Sequence, residues 1–376
     1  MTALAAGLLL SAVWLAVWSY VLYPPWIRIL SARRVRLPAP VPGTPPVSVD
    51  VLVAASDEES VISERVRDLL AQRWPGPLSV SLGCDGCADQ TAQRARDAAR
   101  GDPRLRITEF PSRRGKASVL NDLAASSSAD VLVFTDANTR FDPGAIDRLG
   151  SEFADPSVGA ACGRLILEGR EASPEAVFWE RETSLKESEG RLGVCLGANG
   201  AIYAARRASV ERLPADTTMD DFLIAARIAG RGEAVVFVGD AVARERLPEG
   251  PREEVARRFR IGIGAGQVLR RERWLWNPRR PLLAFVFLSR KAARWVAPVA
   301  TLLAAAAAAA SPTLRPLGLT ALALSAALMF SARRNLRLRG LPGTLYYFAV
   351  INLALAGGVV AGFLGYRRPA WKPTGR

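Results

Sequence analysis

Residues 2–23, TALAAGLLLSAVWLAVWSYVLY, contain no charged side chain, and 295–366 is again mostly apolar, whereas 47–260 mixes charged and apolar residues as a soluble α/β protein does. Two apolar ends around a polar middle constrain the fold more than any single motif. A backbone crossing hydrocarbon must satisfy its own hydrogen bonds, which a helix of about 20 apolar residues does. The first stretch is long enough, carries Trp and Tyr toward one end, and has no basic leading region. It is therefore expected to be a retained anchor rather than a cleaved signal. Arg28, Arg33, Arg34 and Arg36 follow at once. By the positive-inside rule the chain starts outside and its middle lies in the cytoplasm, at the cell's inner (plasma) membrane.

Three more spans are expected at about 295–311, 316–331 and 344–365. Before them 271–294, apolar then basic, suits a segment lying in the interface. The loop with Arg333, Arg334, Arg337 and Arg339 falls on the cytoplasmic side as the rule requires; the tail 367–376, with Arg367, Arg368, Lys372 and Arg376, falls outside, against it. The expected layout is thus a membrane helix at 1–23, a basic, Pro-rich linker at 24–46, a catalytic domain at 47–270, the interfacial segment, helices at 295–366 and the tail.

The net charge of +14 does not point to nucleic acid, because basic residues cluster beside the apolar runs and no nucleic-acid module is present. The absence of histidine is more restrictive: it removes Ser/His and Cys/His nucleophile pairs and the common zinc sets. Acid–base chemistry falls to Asp, Glu, Lys, Tyr or Cys. Cys84-x-x-Cys87 has no second pair after it, so the four cysteines are expected to be unpaired thiols in a reducing compartment.

From Val47 the pattern alternates. Strands are expected at Val47–Ala55, Leu78–Leu82, Leu105–Glu109 and Val131–Thr135, with helices at Glu59–Gln72, Gln90–Arg100 and Lys116–Ala125 between them. Such alternation builds a mostly parallel sheet, which binds ligands beyond the carboxyl ends of its strands. Acidic residues fall at those ends: Asp57-Glu58-Glu59, Asp85 and Asp136. Each alone reads equally well as an ordinary turn.

SDEES (56–60), CDGCADQT (84–91), RRGKASVLN (113–121), TDANT (135–139), GANGAIYAARR (197–207) and MDDF (219–222) occur in the order seen in family 2 glycosyltransferases. The chain resembles their membrane-anchored branch, which includes cellulose, chitin and hyaluronan synthases and exopolysaccharide enzymes. The resemblance implies a Rossmann-like GT-A fold with about four transmembrane helices. It also implies inverting transfer from a nucleotide-diphosphate sugar, with Mg2+ or Mn2+. By the same resemblance Asp136 and Asn138 take the metal motif, the latter where the family has Asp. Asp57, Glu59, Asp85, Lys116 and Asp136 take the nucleotide, with uracil the favoured base. Asp221 is the general base, or Asp220 if the register slips by one. Arg257, Arg258 and Arg260 clamp pyrophosphate, and Asn199 faces the acceptor.

The family's Gln-x-x-Arg-Trp is missing, which favours single or limited addition over processive polymerisation. The implied partners are a UDP-sugar, a lipid-linked or glycan acceptor and the bilayer. A second reading is a catalytically inactive, nucleotide-binding scaffold subunit of a polysaccharide-synthesis complex.

Overall fold

The computed structural model describes residues 1–33, 47–168, 174–246, 251–334 and 340–366. From residue 34 the expected linker lies outside these residues, as do Arg337, Arg339 and the tail 367–376. The chain divides into two units, Met1–Arg28 with Pro248–Arg367 and Ile29–Leu247 with Arg368–Arg376. It opens with α1 (Thr2–Val17), a π-helical turn and α2 (Tyr23–Ala32); Thr2–Ala32 is long and apolar enough to cross a membrane.

In the α/β unit, β1 (Val49–Ala55), α3 (Ile62–Ala71), β2 (Leu78–Asp85), α4 (Thr91–Ala99), β3 (Leu105–Phe110), α5 (Lys116–Ser126) and β4 (Val131–Asp136) alternate as the sequence pattern requires. Then come β5 (Arg140–Phe141), α6 (Ala145–Ser151), β6 (Val158–Glu168), α7 (Pro174–Arg191), β7 (Tyr203–Arg206), α8 (Asp220–Gly230) and β8 (Ala234–Arg246). The strands form one mixed, mostly parallel sheet in the order β3-β2-β1-β4-β7-β6-β8-β5. β1 is parallel to both β2 and β4, so connections leave it toward opposite sides and open a crevice beyond the two carboxyl ends.

Every residue of β1 is buried, as near-continuous apolar runs in parallel sheets are. Its one charge, Asp50, is fully buried and accepts bonds from Ser79 (2.9 Å), Ser81 (3.0 Å) and Arg106 (2.8 Å). Those bonds replace the water that burial removes. Beyond the bulk of the sheet, β6 and β8 continue together after a register shift, where Gly163 pairs with Val238 but Arg164 with Val242. β5 joins this extension through Arg140 and Phe141. The extension carries the end of β8 back over the turn that follows β4.

The other unit contains α9 (Pro251–Arg271), α10 (Pro281–Val286), a π-helical turn at Phe287–Ala292, α11 (Ala293–Ala309), α12 (Arg315–Arg333) and α13 (Gly340–Phe363). Pro281–Ala309, Arg315–Arg333 and Pro342–Phe363 are long and apolar enough to cross a membrane. From Pro281 the second half of the segment expected in the interface continues without a break into α11. The π-helical turn absorbs one extra residue per turn without ending the helix.

α9 and α13 pack backbone to backbone. A Cβ at Gly262 would stand 2.4 Å from the Leu355 carbonyl oxygen, and one at Gly362 would stand 2.0 Å from that of Ile263. Small residues at four-residue spacing permit such approach between apolar helices. Gly262→Val is therefore expected to lower stability by about 1–3 kcal/mol through overpacking. Gly357→Ala, whose Cβ would meet only the Phe259 ring at 3.5 Å, is expected to be near neutral. Thermal midpoints of the two variants in detergent check the contrast, and equal midpoints would contradict it.

Candidate active site

The parallel register sets Ala54 opposite Asp136 and Ala55 opposite Cys84, so β1, β2 and β4 deliver their terminal acids to one edge. β7 runs the other way, pairing Tyr203 with Phe134, and thereby brings the preceding loop, with Asn199 and Gly200, to the same edge. The Phe134 and Tyr203 rings stack with centroids 4.7 Å apart, beneath that edge.

Lys116, at the first turn of α5, sits among three carboxylates from two elements, Asp136 of β4 and Asp220 and Asp221 of α8. Its Nζ lies 2.9 Å from Asp136 Oδ1 and 3.4 Å from Asp220 Oδ2. Burial opposes its charge, but Asp136, Asp220 and Asp221 outweigh burial and its pKa is raised. Asp220 is buried, and its Oδ2 has no hydrogen bond. Asp221 accepts from the Phe222 backbone N–H at 2.8 Å, the free donor of a helix start. Burial, then the charge of Asp220, push Asp221 up to about 6, against the pull of Lys116.

Gly200 marks where the carboxylates face: a Cβ there would lie 3.7 Å from Asp221 Oδ2 and 3.9 Å from Asp136 Oδ2. Gly200 therefore lies beside both acids, and a side chain longer than a methyl group there would meet them.

Asn138 stands just past Asp136 and donates from Nδ2 to Glu245 Oε1 at 2.8 Å. Its amide nitrogen is thus committed, which leaves the oxygen as the end that could meet a cation. Asp136 and Asp220, both drawn to the Lys116 ammonium, and the amide of Asn138 two residues beyond Asp136 offer oxygen donors of the kind that suits a hard divalent ion. Asp57, Cys87 and Asp89 also place potential ligand atoms within 4.8 Å of one another. There, however, Asp57 is paired with Arg113 and accepts from the Ala88 N–H, while Asp89 accepts from Glu59 and Thr91. Those acids are already satisfied.

The remaining expected residues form latches. Asp85, fully buried, accepts from the Arg114 and Gly115 backbone N–H groups at 2.7 and 2.9 Å. Gly115 has φ +89°, a conformation other residues rarely adopt, and this bend lets the loop reach Asp85 and then start α5 at Lys116. Asp57 holds φ +55°. Glu59 accepts from the Gln90 N–H at 3.2 Å and pairs with Arg94 at 3.7 Å, which closes the β1–α3 loop on the start of α4. Asn199 turns both ends inward: Nδ2 donates to the Gly163 carbonyl at 2.6 Å and Oδ1 accepts from Lys186. In the other unit, Arg257 and Arg258 each bond Glu254 at 2.7 Å within α9.

Four participants were not foreseen. Lys186, buried on α7, contributes positive charge that lowers the pKa of Asp221. Burial, then the charges of Asp220, Asp221 and Asp136, raise the pKa of the Tyr203 phenol, which places it among the same acids. Arg65, fully buried on α3, pairs with Asp68, bonds Thr135 at 2.5 Å and lies over the Phe141 ring at 4.3 Å. Asp68 in turn accepts from the Phe141 N–H at 3.0 Å, so this pair pins both ends of the turn that carries Asp136 and Asn138. The fourth is Glu245. All four cysteines are free.

A family model described as "Glycosyltransferase like family 2" matches residues 45–264, more than half of the chain. An N-acetylglucosaminyltransferase of Azorhizobium caulinodans is 25% identical over 220 residues, covering 54% of this chain and 55% of that protein. One from Rhizobium leguminosarum bv. viciae is 32% identical over 158 residues, covering 40% and 36%. The chain spans about half the length of these curated relatives or less. Among solved structures, the mannosyltransferase PcManGT from Pyrobaculum calidifontis, in complex with GDP-Man and Mn2+, superposes with a TM-score of 0.68 at 23% identity, over 94% of this chain and 98% of that one. That likeness extends the GT-A fold to the chain, together with its four apolar helices.

Proposed function

We propose that this chain, which belongs to the glycosyltransferase-like family 2, is an inverting transferase of the inner membrane. It moves a sugar from a UDP-sugar to a membrane-associated, lipid-linked or glycan acceptor. The observation that carries the reading is the meeting of Asp136, Asp220 and Asp221 around Lys116, with Gly200 beside Asp136 and Asp221. The names of the curated relatives make N-acetylglucosamine the first sugar to try.

In a single displacement the acceptor oxygen bonds to the anomeric carbon while the bond from that carbon to the diphosphate breaks. The acceptor's proton passes to Asp221. Of the two adjacent acids Asp221 is the better base: it is the more open to the crevice, while Asp220 is buried against Lys116. A bound divalent ion, held by Asp136 and the Asn138 oxygen, would neutralise charge on the leaving diphosphate. Lys116 supplies a second positive charge to that leaving group, assisted by the free N–H groups of the first turn of α5. Asp57, Glu59 and Asp85 are proposed to shape the nucleoside pocket through the loops they latch. Asn199 acts on the acceptor side by presenting the Lys186 ammonium.

The test is nucleotide release by the detergent-purified chain, offered UDP- and GDP-sugars with and without Mn2+ or Mg2+. A membrane lipid extract serves as acceptor. Metal-dependent release of UDP from one donor is expected, and its loss in Asp136→Ala. UDP binding without turnover of any donor would replace this reading with the scaffold one.

A further inference from the structure

A strand-end motif that holds a divalent ion gains from a second carboxylate, and here the second position is Asn138, an uncharged amide. Its side chain is not left to choose an orientation. Glu245 Oε1 accepts the Asn138 Nδ2–H at 2.8 Å, across more than a hundred residues of sequence. An amide whose nitrogen is taken by a carboxylate can offer only its oxygen to a cation.

The fold explains how Glu245 gets there. β8 runs past the main sheet beside β6 and pairs with β5, the short strand immediately after the turn. Side chains alternate along this end of β8. Arg244 goes to Asp142 at 2.7 Å, which anchors the strand, and Glu245 goes to Asn138. The strand is therefore already held by its ladder and by an ion pair.

We propose that Glu245 is a positioning residue of the cation site. It fixes the Asn138 amide with its oxygen toward the ion and sets, one amide away, the negative charge that an acid at position 138 would carry. The inference rests on the reading of Asp136 as a cation ligand. Partners of ligating groups set metal affinity, typically by 10- to 100-fold.

The experiment is a titration of the full-length chain in detergent with Mn2+ alone, following free Mn2+ by its EPR signal, so that no turnover is needed. Asp136→Asn is expected to abolish site binding. Glu245→Gln is expected to weaken it by about 10-fold. Adding Asn138→Asp to Glu245→Gln is expected to restore affinity to within about 3-fold of wild type, because an acid at 138 needs no orientation and brings its own charge. A merely structural role for Glu245 predicts no such rescue.

Glu245→Leu, with no amide of its own to compete, is the second variant and obeys the same rescue. If Glu245→Gln and Glu245→Leu bind Mn2+ as wild type does, or if Asn138→Asp fails to restore either, the inference is overturned. If Mn2+ binding is absent from wild type or survives Asp136→Asn, the cation reading itself falls. The two failures are thus distinguishable.

Discussion

Asp221→Asn is expected to lower turnover by about 10²- to 10⁴-fold, the usual contribution of a positioned base, while leaving the affinity for UDP within a few-fold of wild type. The carboxylate is the only atom set removed, and the Phe222 N–H can still donate to the Asn oxygen. Two pH dependences follow from the pKa of about 6 that burial and Asp220 impose on Asp221. The base works deprotonated, so in wild type kcat/KM falls about tenfold per pH unit below 6, and the residual activity of Asp221→Asn lacks that limb.

The second concerns stability. The folded state holds this proton more tightly than the unfolded one, whose carboxyl titrates at the ordinary 3.8. Its stabilising contribution is complete below about 4 and is lost as pH rises through about 6. Asn does not titrate. The thermal midpoint of Asp221→Asn should therefore exceed that of wild type above pH 6, and the gap should narrow toward pH 4. A variant with lower activity and a lower midpoint at pH 8 would mean that Asp221 is a structural helix-start residue, not a base.

The order of the first four strands was legible because parallel strands are apolar runs and their carboxyl ends carried acids. Asp136, Asp220, Asp221 and Lys116 were found from motif order, and the fold brings those four together. What escaped shares a physical cause. Lys186 lies in SLKESEGR, a stretch whose charge reads as a solvated helix face, yet the helix packs with that lysine inward. Glu245 lies in ARER (243–246) at a strand end, where nothing local indicates a partner before residue 140. Arg65 sits in an amphipathic helix, and only the β4–β5 turn, far away in sequence, gives it a reason to be buried. Local pattern records which face a residue takes when that face is apolar. It does not record a charge buried against another charge, as Asp50 within β1 also shows.

Lys116→Met is expected to act in opposite directions on two observables. In the structure the ammonium bonds Asp136 at 2.9 Å and lies 3.4 Å from Asp220, so it occupies the acids that the proposed cation requires. In the proposed reaction it is needed elsewhere, on the diphosphate, where removing one preorganised charge or donor typically costs 10²- to 10³-fold. Turnover should fall by about that factor. Mn2+ binding without nucleotide should instead tighten, because Lys116 no longer competes for Asp136. A third reading is independent of both. Lys116 lowers the pKa of Asp221, so its loss should move the acid limb of any residual activity above pH 6. Weaker Mn2+ binding in Lys116→Met would contradict the exchange and show that the lysine holds the three carboxylates together. Tighter Mn2+, slower turnover and a raised acid limb would together mean that one side chain neutralises the acids in the empty crevice and the leaving group in the filled one.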